Sequence, residues 1–253
     1  MLRSRIIPCL LVHNKGLVKT IEFKDPKYVG DPINAVKIFN EKEVDELIVL
    51  DIDATKEKRG PNFDLIKNLA VECRMPFCYG GGVNTVEDAK KIITLGAEKV
   101  ALSSAAINNF PLIKKIGDAV GVQSVVIVLD IAKKGLFGVY EIYTENGQKK
   151  TGIKVKDFII ELNKVEVGEI VINSIDRDGK MVGYDFDLVD MIRELTDVPL
   201  TVLGGAGSLN DVKSLISRYK IIGAAAGSIF VFKGKYRAVL ISYPDRNEKK
   251  MLL

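Results

Sequence analysis

The sequence predicts an eightfold β/α barrel, one domain over residues 1–253 made of two similar halves at approximately 1–120 and 121–253. Three observations predict it. The length of 253 residues is close to the roughly 250 typical of such barrels. Short β-branched runs alternate with helical patterns, which implies parallel pairing with right-handed crossovers. Widely separated motifs also recur at one shared offset of 123 residues: Ile52-Asp53 on Ile175-Asp176, Gly81-Gly82 on Gly204-Gly205, Glu87-Asp88 on Asn210-Asp211, and Ala101 to Ser104 on Ala224 to Gly227. An open doubly wound sheet does not call for one common offset, whereas a four-plus-four barrel does.

Eight runs read as strands: 6–12, 46–51, 77–79, 99–102, 125–130, 169–173, 200–203 and 221–225. Apolar residues repeat at helical spacing over 88–95, where Gly96 supplies a C-terminal cap, and over 186–195. Two excursions break the rhythm. Residues 13–29 read as a long loop after the first strand, and 135–152 as a hairpin, with Val139 to Tyr143 leading to the turn Asn146-Gly147. Long connections after barrel strands lie on the face that carries chemistry.

Composition narrows the class. Hydrophobic residues make up 47% of the chain, enough for a large core, and the net charge of +4 is small beside 37 basic and 33 acidic residues. The basic residues are scattered rather than striped, which argues against nucleic-acid binding. No apolar run approaches the roughly 18 residues of a membrane span, and Met1-Leu2-Arg3 leads straight into a strand-like run, so no signal peptide is expected. Cys9, Cys73 and Cys78 are odd in number and lack metal-ligand spacing. They read as free thiols of a cytoplasmic protein, with no metal and no cofactor implied.

Glycine-rich turns give the first functional signal. Gly80 to Gly82 follow a strand and precede a helix, an arrangement that lets backbone N–H groups approach an anion. One unit later, Ser103-Ser104 adds hydroxyls. The second half repeats the pattern with Gly204 to Gly207 and Ala226-Gly227-Ser228. Two such sites across one barrel mouth suit a long ligand with a phosphate at each end. Carboxylates give the second signal. Asp130 ends an apolar strand, where a barrel carboxylate reads as catalytic. Asp51, Asp53, Asp176 and Asp178 also follow strands, and about half of these are expected to be caps or rim ion pairs. Aligning 125–130 with 6–11 places Leu11 opposite Asp130, so the first half has an apolar residue where the second has its acid.

Arg5-Ile6-Ile7-Pro8-Cys9-Leu10, Gly30-Asp31-Pro32, Asp45-Glu46-Leu47, Gly80-Gly81-Gly82, Ser174 to Gly179 and Gly204-Gly205-Ala206-Gly207 together resemble the cyclase subunit of imidazole glycerol phosphate synthase, over nearly the whole chain. The resemblance implies a barrel docked to a glutaminase. Ammonia released there passes through the barrel and attacks a bisphosphorylated ribulosyl formimino carboxamide ribotide, giving imidazole glycerol phosphate and an aminoimidazole carboxamide ribotide. It also implies residue roles. Asp130 falls on a catalytic aspartate, and Lys19 on a lysine of the mobile first loop. Gly81, Gly82, Ser103, Ser104, Gly179, Gly204, Gly205, Ala226, Gly227 and Ser228 fall on the phosphate sites. Arg5, Glu46, Lys99 and Glu169 fall on a ring of alternating charges that gates ammonia entry. Read as exposed charges at strand starts, these four are expected to add little to stability.

Two features depart from the family pattern. Leu11 stands where such cyclases carry an aspartate, and Lys235 to Asp245 replaces the usual charged final helix. Both resemble a paralogue group associated with surface-saccharide (lipopolysaccharide) biosynthesis, in which ammonia passes to a separate sugar amidotransferase. Three functions follow. One is an ammonia-conducting barrel serving sugar amidation. Another is an authentic histidine-pathway cyclase, a lyase, in which another group such as His13, placed in the loop, replaces the acid. The last is a non-catalytic module that activates a glutaminase allosterically.

Overall fold

The computed structural model describes residues 3–135 and 138–252. Met1, Leu2, Leu253 and, within the hairpin region, Leu136 and Phe137 lie outside the described residues. The barrel strands are β1 (Arg5–His13), β2 (Leu47–Asp51), β3 (Phe77–Gly80), β4 (Lys99–Leu102), β5 (Val125–Lys134), β6 (Glu169–Ser174), β7 (Leu200–Leu203) and β8 (Gly223–Ala226). Each pairs in parallel with its sequence neighbour, and β8 pairs back onto β1 through Arg5↔Gly223 to Pro8↔Ala226, which closes the (β/α)8 barrel.

Because barrel strands are covered on both faces, their sequences are near-continuous apolar runs, and alternation sorts them into two cores. Ile7, Cys9, Ile48, Cys78, Val126, Val128, Val171, Leu203 and Ala225 fill the barrel interior, with Leu11 and Leu50 at its upper edge. The intervening residues, among them Ile6, Val49, Tyr79, Val100, Ile127 and Ile172, pack outward against the helices.

The repeat seen in the sequence is a repeat of local chemistry. Helix Val86–Thr94 opens on a capping box of Thr85 and Asp88, and helix Leu209–Tyr219 on one of Ser208 and Asp211. Asn62 caps helix Phe63–Glu72 as Asp185 caps Phe186–Arg193. The glycine turns match as well. Gly81 and Gly204 have φ of 120° and 93°, and a Cβ there would lie 2.4 Å from the Asp51 carbonyl oxygen and 2.7 Å from that of Ser174. Each of these pairs is separated by the same 123 residues.

Three expectations need correction. Residues 13–29 are not a loop: β1 turns at Asn14-Lys15, both at positive φ, and returns as Gly16–Ile21, which pairs antiparallel with β1 and with Lys24–Gly30. Two consecutive positive-φ residues make the tight turn that matches strand twist, and Leu17 and Val18 are buried by it. His13 is accordingly the last residue of β1. The 139–143 hairpin does form, turning at Glu145 to Gly147, but β5 runs on to Lys134 and makes it a three-stranded meander. Finally, a charged helix, Arg246–Leu252, still ends the barrel, anchored by Arg246 on Glu43 and Lys249 on Asp45. The departing segment begins within a small hairpin, Phe232–Lys233 with Ala238–Val239, that precedes that helix.

The matched caps make a stability prediction. Thr85→Ala and Ser208→Ala should each cost about 1 kcal/mol and add in the double variant, because the two caps share no partner. Urea denaturation of the three variants checks this.

Candidate active site

The strands deliver their C-terminal ends to one mouth, a cavity open to solvent. Every residue assigned above to phosphate binding lines it. Gly81, Gly82, Ser103 and Ser104 lie on one side, Gly204, Gly205, Ala226, Gly227 and Ser228 on the other, with Gly179 also in the wall. Leu11, Lys19 and Asp130 line the same cavity.

The five strand-end carboxylates part company. Asp51 accepts two hydrogen bonds from Arg59, at 2.8 and 2.9 Å, and others from the Asp53 and Ala54 N–H groups. Asp53 is taken by His13 Nδ1 at 2.6 Å and by the Asn14 N–H. Asp176 accepts from the Lys133 N–H at 2.6 Å. These three are caps and rim pairs. Asp178 faces the cavity but is held by the Thr20 hydroxyl at 2.6 Å and the Phe23 N–H; burial raises its pKa and these bonds oppose the rise. Asp130 pairs with no cation among the described residues. Burial lifts its carboxyl to about 7, against one hydrogen bond from Asn173 Nδ2 at 3.0 Å and with a push from Asp178. It can therefore exchange a proton near neutrality, which suits general acid–base work.

Lys19 reaches the mouth from the ribbon after β1, and its Nζ donates to the Cys9 carbonyl at 2.5 Å. A Cβ on Gly227 would lie 2.4 Å from that Nζ, so the glycine leaves room for the amine beside the second glycine-rich site. Burial lowers the Lys19 pKa, and Cys9 and Asp178 counter part of the effect. Burial also pushes the Cys9 thiol up to about 11.

The other end of the barrel is closed by a ring. Arg5 bonds Glu46 and, at 2.7 Å, Glu169; Lys99 Nζ bonds Glu46 and Glu169, each at 2.7 Å. Thr201 adds its hydroxyl to Glu169. Glu46 and Glu169 are only 4% exposed, so the expectation of solvated strand-start charges is corrected: these are buried pairs. Against burial, which opposes ionisation, Arg5 and Lys99 hold the Glu169 carboxyl below the usual range.

The sequence reading missed Asn173. Alternation places it on the same face of β6 as the interior residue Val171, and its register partner on β5 is Asp130. That signal was present in the strand pattern. His13, offered as a substitute acid, is bound to Asp53 and is not among the cavity-lining residues. Among the described residues, no cluster of three or more histidine, cysteine, aspartate or glutamate side chains could hold a metal ion. No helix among them is long and apolar enough to cross a membrane.

The model of the family "Histidine biosynthesis protein" matches residues 5–237. A subunit named without qualification as "Imidazole glycerol phosphate synthase subunit HisF", from Streptococcus mutans, is 37% identical over 91% of both chains. The chain belongs to the HisF family. Within it, the chain is 55% identical to a protein provisionally named as synthase subunit hisF3 in Vibrio vulnificus, over 100% of this chain and 97% of the other. It is 52% identical to a similarly provisional HisF of Leptospira borgpetersenii, over 100% and 99%.

The elevated Asp130 pKa predicts a pH dependence. An acid whose folded pKa lies above its unfolded value stabilises the fold at low pH and loses that contribution as pH rises to about 7. Asp130→Asn should therefore gain stability over the parent between pH 5 and pH 8, by on the order of 1–3 kcal/mol once water in the mouth is allowed for. Denaturation curves at both pH values measure it.

Proposed function

We propose that this HisF-family chain is the ammonia-conducting barrel of a glutamine amidotransferase complex, and that it serves amidation of a sugar in surface-polysaccharide biosynthesis. The observation that carries the reading is an asymmetry. The ring of Arg5, Glu46, Lys99 and Glu169 is complete, and both glycine-rich sites stand in the mouth. Yet Leu11 lines that mouth together with Asp130 where a second acid is needed. The chain keeps what passes ammonia and binds a phosphorylated ligand, and lacks a group able to exchange a proton on one side of it.

The glutaminase is proposed to dock on the ring face. Ammonia then enters past the ring and rises through the lumen of Ile7, Ile48, Cys78, Val126 and Val171. The apolar lumen suits neutral ammonia and disfavours ions. The sugar acceptor is inferred from Leu11, the departure that resembles the saccharide-associated paralogues and that the structure leaves standing. The higher identity to provisionally named relatives, 52–55% against 36–38% to HisF subunits named without qualification, supports placing the chain in a separate branch. Exposed Lys24, Lys27, Lys233, Lys235, Tyr28 and Tyr236 on the ribbon and hairpin offer the acceptor enzyme a surface. The proposed compartment is the cytoplasm. The authentic-cyclase reading is weakened by the engagement of His13 with Asp53. A purely allosteric role leaves the retained lumen and cradles without use.

The test is glutaminase turnover. Adding the chain to a class I glutaminase of this synthase type should raise turnover roughly tenfold, a typical coupling between sites. Indifference of the glutaminase would end the proposal. The buried ring dictates the variants: Lys99→Ala should cost on the order of 2–4 kcal/mol, because it leaves carboxylates buried and undercompensated. The double variant Lys99→Met with Glu169→Gln removes one charge of each sign and retains the Arg5–Glu46 pair. It should fold and still lose coupling.

A further inference from the structure

Where the apolar lumen opens into the mouth, two acceptors meet it side by side. Asp130 on β5 and Asn173 on β6 are register partners, and both line the cavity. The Asn173 amide donates to Asp130 Oδ1 at 3.0 Å, a bond that the ionised carboxylate and the carbonyl oxygen of the protonated carboxyl both accept. Asn173 Oδ1 then faces away from that bond, buried, with no hydrogen-bond partner among the described residues. Asn173 as a whole is 5% exposed. A buried carbonyl oxygen without a donor is costly and uncommon, so its occurrence in a cavity wall marks a place for a donor ligand.

We infer that Asn173 and Asp130 form a holding site for ammonium at the top of the lumen, an inference that rests on the conduit reading proposed above. The geometry selects the ligand. Two oxygens that only accept call for several N–H donors, whereas a phosphate, being an acceptor itself, is repelled there and goes to the glycine turns. Leu11, Leu50, Val128 and Leu203, which line the same cavity, offer a cation nothing, and the lining carboxylates Asp51 and Asp178 are held by Arg59 and by Thr20 and Phe23. Ammonia arriving as NH3 takes the proton of the Asp130 carboxyl, giving ammonium beside carboxylate. On leaving as NH3 it returns that proton, so no net proton is consumed. The other titratable groups near the pair are Asp178, Lys19 and Cys9. Lys19 donates to the Cys9 carbonyl, and Asp178 is held by Thr20 and Phe23, so neither takes the Asn173 oxygen. Leu11 belongs to the same design: an aspartate there would add a rival acceptor across the collar and draw the cation away from Asn173.

The chain alone suffices for the test, so failure here is separable from failure to couple to a glutaminase. The probe is ammonium chloride. The Asp130 carboxyl is followed by 13C NMR through its titration, assigned by its absence in Asp130→Asn. Potassium chloride matches ammonium in size and charge without N–H donors, and tetramethylammonium chloride matches the charge alone. Ammonium should lower the apparent pKa of Asp130 by about one unit or more relative to both salts, as expected for a cation within contact distance. In Asn173→Leu the ammonium-specific part should fall to less than about half, because one of the two acceptors is gone. Asn173→Thr, which keeps an acceptor oxygen, should retain more of it and guards against a folding defect in the leucine variant. Equal shifts with potassium and ammonium, or a shift unchanged in Asn173→Leu, would overturn the site.

Discussion

Two carboxylates, Glu46 and Glu169, are withdrawn from water at the closed end of the barrel, and each is shared between Arg5 and Lys99. The four side chains come from β1, the residue before β2, β4 and β6, so the ring ties together strands that do not all touch. A buried charge is tolerated only when paired, and removing one partner strands the other. The ring therefore fixes strand positions around the axis at the end opposite the mouth. Directly above it the interior is aliphatic and thiol-lined among the described residues, up to the level of Asn173 and Asp130. The polarity of the molecule along its axis, sealed by charge below and open above, follows from this arrangement.

The mouth combines features that depend on the backbone with features that depend on single side chains. Backbone glycines and small residues build the two cradles, and these depend on φ values and close approach rather than on any titrating group. Proton transfer depends on individual side chains. Asp51, Asp53 and Asp176 are committed to Arg59, His13 and the Lys133 N–H, so none is free to stand in for a missing acid. With Leu11 on one wall, the only cavity carboxyl among the described residues without a cation or a hydroxyl holding it is Asp130. Burial in turn keeps that carboxyl in reach of a neutral-pH proton.

The fold was legible because its signals are local and repeated. The 123-residue offset appears in caps, glycine turns and strand ends alike, and each copy reports the same unit. The ribbon after β1 was not legible as strand. Its second arm, Lys24–Gly30, is mostly exposed and charged, and its turn uses Asn14-Lys15 rather than the usual Asn-Gly. The final helix is short and carries one buried residue, Leu252, too few for a clear period. In the site, residue types pointed to the cradles and to Asp130. Which carboxylates were already spent, and that the ring was buried rather than solvated, are facts of tertiary pairing that no strand pattern contains. Asn173 lies between the two cases, since alternation gives its direction but only the fold shows its unpaired oxygen.

The central claim is that Leu11 separates a conducting barrel from a working cyclase. The most direct measurement supplies the bisphosphorylated family substrate with free ammonium and follows imidazole glycerol phosphate, comparing the parent chain with Leu11→Asp and Leu11→Asn. The account predicts negligible turnover by the parent and measurable turnover by Leu11→Asp, since a positioned acid or base contributes about 10²–10⁴-fold. Leu11→Asn should recover less, because an amide neither gives nor takes a proton readily. Turnover by the unmodified chain at the level of an authentic HisF subunit would contradict the account.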